Sequence, residues 1–256
     1  MNGRYLPPAL GLDLLLQLSS TALQNVLNAL SPGEEAQGSL LAPIEEMHEV
    51  WASGVTYLRS REARKSESTV GNLYERIYEA ERPELFFKAV GWRVVGPRQP
   101  VRVRTDSRWS VPEPELVLVI NRHLEIVGYT AGNDMSSRDL EGENPLYLPQ
   151  AKTYTGSCSL GPAIRLCRVD DMRDLPIRLE IVRGDQVAYV GETRTSRMKR
   201  GFEELVNYLG RELNFPHGVF LMTGTGIVPP DEFSLVAGDR IRIEVGELVL
   251  ENEVTA

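Results

Sequence analysis

The chain has 256 residues, 42% of them hydrophobic, which is enough to bury a core as one large domain or as a small one beside a large one. Its 28 Lys and Arg against 36 Asp and Glu give a formal charge of −8, so no global basic field exists to draw in nucleic acid. Two cysteines outside any CxxC spacing, with histidines scattered at 48, 123 and 217, argue against a zinc site or a disulfide framework.

The most apolar N-terminal stretch, ALGLDLLLQL, is interrupted by Asp13, falls far short of a membrane span and lacks a cleavage-like small-residue ending. A cytoplasmic protein without a membrane partner is the expectation. SSTALQNVLNAL then has helical spacing of Leu and Val behind a Ser/Thr start, and SPGEEAQGS reads as a connection, so a small N-terminal subdomain is expected. EVWASGVTYLRSREARKSES carries Arg59, Arg61, Arg64 and Lys65 in its second half, a charge run that reads as a solvated helix face. In GNLYERIYEAERPELFF, Leu73, Tyr74, Ile77 and Tyr78 recur at helical spacing, and Pro83 stops that helix.

From there the grammar changes to strands. VRVRT, LVLVI, LEIVGYT, IRLEIV, VAYVGET, GVFLM, RIRIEV and LVLENEV are short, β-branched and joined by turn residues. One helix interrupts them, RMKRGFEELVNYLGREL. The pattern predicts a mostly β, α+β protein built as a sandwich or roll, with residues 1–70 as a small N-terminal subdomain and 71–256 as the larger domain.

EPELVLVI sets Glu113 and Glu115 one residue apart before a buried run, and alternation along a strand points both the same way. Two like charges ~5 Å apart repel by roughly 3 kcal/mol at an effective dielectric of ~20, so something positive belongs between them: a basic side chain, water or a metal ion. LVLVI and LEIVGYT are separated by NRH, a tight hairpin whose far end brings Asp134 beside the two glutamates. Three converging carboxylates with no His or Cys make a hard oxygen site suited to magnesium, manganese or calcium. Read singly, the same residues also fit a screened acid pair and a turn aspartate.

The segments RPELFFKAVGWRVVGP, VPEPELVLVIN, GYTAGNDMSSRDLEGENPLYLPQAK, GSCSLGPAI and LMTGTGIVPPDEFSLVAGDRIRIEV together resemble the fumarylacetoacetate hydrolase family from about residue 43 to 254, in the family's order and approximate spacing. GENPLYLPQAK and VWASGVTYLRSREAR look like its branch of 2-keto-3-deoxy-D-arabinonate and -xylonate dehydratases. The resemblance implies a catalytic β-sandwich or roll, magnesium on Glu113, Glu115 and Asp134, an active-site Lys152, a substrate-side Arg138 beside Ser136, Thr225 near the metal and Glu84 near the substrate. It also implies a homodimer or homotetramer acting on a small 2-oxo sugar acid, with a lid over the site on which Arg59 and Arg61 are candidate contacts.

Two departures separate the chain from the family's hydrolases. Their lid carries an H-x-x-E stretch, and here VWASGVTYLRSREAR has no histidine, while His48 lies upstream out of register. Glu141 stands where they have a catalytic glutamine after SRDL. Both departures favour dehydration over carbon–carbon cleavage of acylpyruvates or fumarylpyruvate. The residue types suit that chemistry: a dication polarises a 2-oxo acid, Lys152 takes a proton and Glu84 or Glu141 gives one. Competing roles stay open at this point. Lys152 also fits an ion pair with Glu141 or Asp139, Arg138 support of a ligating carboxylate, Glu84 an exposed loop acid, Glu141 a turn cap, and the whole site a 2-oxo acid binder without catalysis. Phe86 and Phe87 read as core, and Cys158 as a small buried residue.

Overall fold

A computed structural model of the chain describes residues 1–31, 33–59 and 76–256. Their strands form two larger sheets and a two-stranded one. The first sheet contains β1 (Glu49–Gly54), β2 (Glu84–Val90), β5 (Pro114–Ile120), β6 (Ile126–Asp134), β8 (Cys158–Leu166) and β11 (Val219–Met222), in the order β2-β1-β11-β5-β6-β8. Its pairs are antiparallel except β1 with β11. The second sheet has the order β10-β9-β12-β13-β3, from β3 (Val101–Arg102), β9 (Pro176–Arg183), β10 (Gln186–Arg194), β12 (Arg240–Val245) and β13 (Leu248–Thr255). The small sheet pairs β4 (Ser110–Val111) with β7 (Ser136–Ser137). Few helices and many short strands match the α+β architecture expected from the turn spacing.

β5 explains why an unbroken apolar run can be a strand: all seven of its residues are buried. Leu116, Leu118 and Ile120 face the second sheet, packing with Leu179, Ile181, Ile243 and Leu250. Val117 and Val119 face the other way, into a second cluster with Val50, Ala52, Leu160 and Phe220. Leu15, Leu16 and Leu23 from the N-terminal region complete that cluster. Covering both faces removes the alternation that marks a half-exposed strand. Burying one such Leu or Val contributes about 1.5–3 kcal/mol. The helix Ser20–Ala29 starts where the Ser/Thr signal put it, with Ser19 Oγ accepting from Ala22 N at 3.3 Å.

Several elements differ from the sequence reading. EVWASG is strand β1, because its parallel pairing with β11 and antiparallel pairing with β2 bury it on both sides. Of the charged run beyond it, Leu58 and Arg59 are helical and exposed, while Arg61, Arg64 and Lys65 lie outside the described residues, as do Leu73 and Tyr74. ELFFKAV is strand β2, and GSCSLGPAI supplies most of β8. VRVRT contributes only the two residues of β3, which lie parallel to the end of β13. The late helix is shorter than its motif, Phe202–Leu209, with Glu204 accepting from Gly201 N at its start. Phe86 packs against the second cluster, but Phe87 is exposed at the sheet edge, with its ring set edge-on to Trp51.

Candidate active site and metal centre

Strand register builds the site. Pro114 pairs with Asn133 and Glu115 with Gly132, and Asp134 N donates to Glu113 O at 3.0 Å, so Glu113 and Asp134 face each other at the open end of the β5–β6 hairpin. Glu113 and Glu115 share the parity of Val117, and Asp134 that of Gly132, whose Cα faces Val117, Leu160 and Met222. All three carboxylates therefore leave the sheet on one face. One oxygen from each lies within 4.8 Å of the others, and all three residues are buried. Desolvation, then the charges of Asp134 and Glu113, push the Glu115 carboxyl well above the usual carboxylate range; Lys152 and the Gly224 N–H pull it back only in part.

Basic side chains surround the trio. Lys152, at the end of the helix Leu148–Lys152, places Nζ 2.6 Å from Glu113 Oε2, 3.0 Å from Asp134 Oδ2, 2.6 Å from Ser136 Oγ and 3.5 Å from Glu141 Oε1. Arg138 opens the helix Arg138–Glu143 and reaches Glu113 Oε1 at 2.7 Å and Glu141 Oε2 at 3.3 Å. Asp139 instead accepts from Ser107 Oγ and Arg108 N, so it is not the partner of either base. Lys88 of β2 lies 2.5 Å from Asp134 Oδ1. Among the described residues, then, Lys88, Arg138 and Lys152 stand among the buried acids Glu113, Glu115, Asp134 and Glu141. A buried all-oxygen trio of this kind fits a hard divalent cation.

The cleft above the trio is lined by Glu84, Phe86, Glu141, Leu148, Lys152 and Thr225, together with Ser53, Gly54, Val55 and Gly224. Glu84 opens β2 opposite Gly54, the last residue of β1. A Cβ built on Gly54 would stand 2.0 Å from Glu84 Oε2, so glycine is what lets that carboxylate fold across the strand end. Thr225 Oγ1 lies 3.3 Å from Ile227 O and accepts from Ile227 N at 3.1 Å, which fixes the loop after β11. Gly224, at φ +89°, donates its N–H to Glu115 Oε2. A side chain there would meet Thr56 Oγ1, itself bonded to Thr223 O at 2.6 Å. Val55 sits between these contacts at φ +52°, a costly conformation for a β-branched residue.

The trio, Lys152, Ser136, Arg138, Thr225 and Glu84 thus come together. Arg59 instead lines a neighbouring cavity with Tyr57, Tyr189, Thr193 and Arg197, and Arg61 lies outside the described residues. His48 is buried away from the cleft: its Nδ1 accepts from Glu45 N at 3.0 Å and its Nε2 lies 2.9 Å from His217 O. Cys158, opposite Asp134 on β8, is buried, and desolvation pushes its thiol up to about 12, which leaves it unreactive. The sequence reading missed Lys88, Gly54 and Gly224. A lone lysine inside the apolar run LFFKAV was a signal for the first; the glycines become legible only once the neighbouring strand is placed.

A buried acid trio on a hairpin inside this two-sheet fold defines a protein built around a divalent-metal site. The family model described as Fumarylacetoacetate (FAA) hydrolase C-terminal matches residues 49–255, and the chain belongs to that family. Within it, the chain stands with the 2-keto-3-deoxy-D-arabinonate and -xylonate dehydratase branch. It is 47% identical over 212 residues to a Haloferax volcanii protein named "Probable 2-keto-3-deoxyxylonate dehydratase", covering 82% of this chain and 73% of that one. It is 44% identical over 206 residues to the 2-dehydro-3-deoxy-D-arabinonate dehydratase of Saccharolobus solfataricus, covering 78% and 69%. A solved 2-keto-3-deoxy-D-arabinonate dehydratase complexed with magnesium and 2,5-dioxopentanoate superposes with a TM-score of 0.79 at 36% identity, covering 92% of this chain and 88% of that one. Among the described residues, no helix is long and apolar enough to cross a membrane.

Proposed function

We propose that the protein removes water from a C5 2-keto-3-deoxy sugar acid, an arabinonate or xylonate derivative, to give 2,5-dioxopentanoate, using a divalent cation on Glu113, Glu115 and Asp134. The observation that carries the reading is the meeting of the buried acid trio with Lys152 and Glu84 in one cleft. The relatives at 47% and 44% identity, with names of that chemistry, give it its substrate class.

When bound, magnesium supplies Lewis acidity toward a 2-oxo acid's carboxylate and keto oxygens. Lys152 is the base in this reading: its Nζ lies among the trio's oxygens, 2.6 Å from Glu113 Oε2 and 3.0 Å from Asp134 Oδ2. It takes a proton from C3, and Glu84 protonates the departing C4 hydroxyl from the β1–β2 side of the cleft. Loss of water leaves a C3–C4 double bond. Proton transfers that remove one hydrogen from C5 and one from its hydroxyl, and return them to C3 and C4, complete the aldehyde. Arg138, engaged with Glu113 and Glu141, supports the ligand shell from behind. Ser136 orients the Lys152 side chain, and Thr225 lines the substrate side. The same reading carries a cytoplasmic, homodimeric or homotetrameric enzyme, which light scattering after size exclusion checks.

The test is incubation with Mg2+ and a panel of 2-keto-3-deoxy acids while aldehyde is followed. Formation of 2,5-dioxopentanoate from a C5 member is the expected result. Cleavage of acetylpyruvate into acetate and pyruvate, with no aldehyde from any sugar acid, would replace this reading by a hydrolase. That outcome would require a water-activating base other than His48, whose two ring nitrogens face Glu45 N and His217 O.

A further inference from the structure

We infer that Lys88 is a positioning residue that holds the metal ligand Asp134 and the base Lys152 in one fixed relation. The inference rests on the dehydratase reading above and adds a residue to it. Lys88 lies in the middle of β2 with no exposed surface, a setting in which an ammonium persists only if its protons are matched by acceptors. Its ammonium donates to Met135 O at 3.0 Å and to Lys152 O, and forms an ion pair with Asp134 Oδ1 at 2.5 Å.

Each acceptor belongs to the site. Engaging Oδ1 of Asp134 fixes the rotation of that carboxylate and leaves Oδ2 toward Lys152 Nζ, 3.0 Å away. The Met135 carbonyl follows the ligand directly in the chain, so the backbone at the end of β6 is held with it. The Lys152 carbonyl closes the helix Leu148–Lys152, so the same ammonium anchors the point from which the base projects. Ligand and base come from segments 18 residues apart, and no other described cation touches both a trio oxygen and the backbone of the base. Partners that orient a ligand carboxylate in this way typically set metal affinity by 10–100-fold.

The test starts with wild type, whose Mg2+ affinity by titration calorimetry and turnover of the C5 acid fix the reference; failure there removes the dehydratase reading and leaves nothing for Lys88 to support. Lys88→Met and Lys88→Gln are then titrated with Mg2+ at low temperature and assayed at saturating metal. Expected are an Mg2+ affinity weakened roughly 10–100-fold, a fall in kcat that persists at saturating Mg2+, and a KM for the sugar acid within about threefold of wild type. A variant that melts earlier but takes up Mg2+ with wild-type affinity and turns over at the wild-type rate makes Lys88 a structural residue only and overturns the inference. Should both uncharged variants fail to fold, Lys88→Arg decides. Recovery of Mg2+ affinity and kcat to within about threefold supports the assignment, and a folded Lys88→Arg with intact metal binding but no turnover overturns it.

Discussion

Gly54 and Glu84 are cross-strand neighbours at the ends of β1 and β2, and the glycine's missing side chain is the space in which the glutamate's carboxylate lies. Gly54→Ala is therefore expected to push Glu84 off its position while leaving the sheet paired. A misplacement of that size costs on the order of 100-fold in rate. Steady-state kinetics of Gly54→Ala and Glu84→Gln check this. Similar losses in kcat for both variants are expected, and wild-type kcat in Gly54→Ala would separate Glu84 from the chemistry.

Lys152→Met is expected to lower kcat by about 10²–10⁴, the usual contribution of a general base. Its Mg2+ affinity should stay the same or tighten, because Nζ stands against Glu113 Oε2 and Asp134 Oδ2, where a cation would bind. Calorimetry beside kinetics distinguishes this pattern from that expected for Lys88→Met, in which affinity and rate fall together.

Removal of metal has a thermal readout. At 100 times its dissociation constant, a ligand stabilises the folded state by about 2.7 kcal/mol, which for a chain of this size corresponds to roughly 5–10 °C. EDTA is expected to abolish turnover and lower Tm by that order. Glu115→Gln removes a carboxyl raised by burial and like charge. Without metal it should melt no lower than wild type, and its Tm should not respond to Mg2+. A Glu115→Gln protein that still gains stability from Mg2+ would exclude Glu115 as a ligand.

His48 predicts a pH dependence remote from the cleft. Burial lowers its pKa below 6.5, against the opposing effects of the His217 carbonyl and the charges of Glu45 and Asp13; His217 adds to the lowering. The neutral ring is required because Nδ1 accepts the Glu45 N–H. A folded-state value below the unfolded one means that its stabilisation is complete above pH 6.5 and is lost as pH falls from there through the folded value. One such site gives a slope of at most about 1.4 kcal/mol per pH unit. Urea unfolding between pH 7.5 and 5 should show this slope in wild type and a flatter profile in His48→Gln.

Features within one strand or across one tight hairpin were legible from the amino acids alone. Glu113 and Glu115 share a face because strand side chains alternate, and Asp134 joins them because NRH closes a hairpin whose register follows from the strand lengths. The Ser19 cap and the late helix were local in the same sense. EVWASG hid its strand character because the partners that make it a strand come from elsewhere in the chain, and its parallel neighbour β11 lies about 170 residues away. Lys88 read as an interruption of an apolar run, Gly54 and Gly224 as ordinary glycines. Their meaning depends on which atoms the folded chain brings against them, and those atoms come from other strands. The sequence by itself determined the acid trio and the strand-rich architecture, through short-range periodicity. Tertiary structure alone decided which cations neutralise the trio and where Glu84 points, since contacts between segments far apart in the chain leave no period to read.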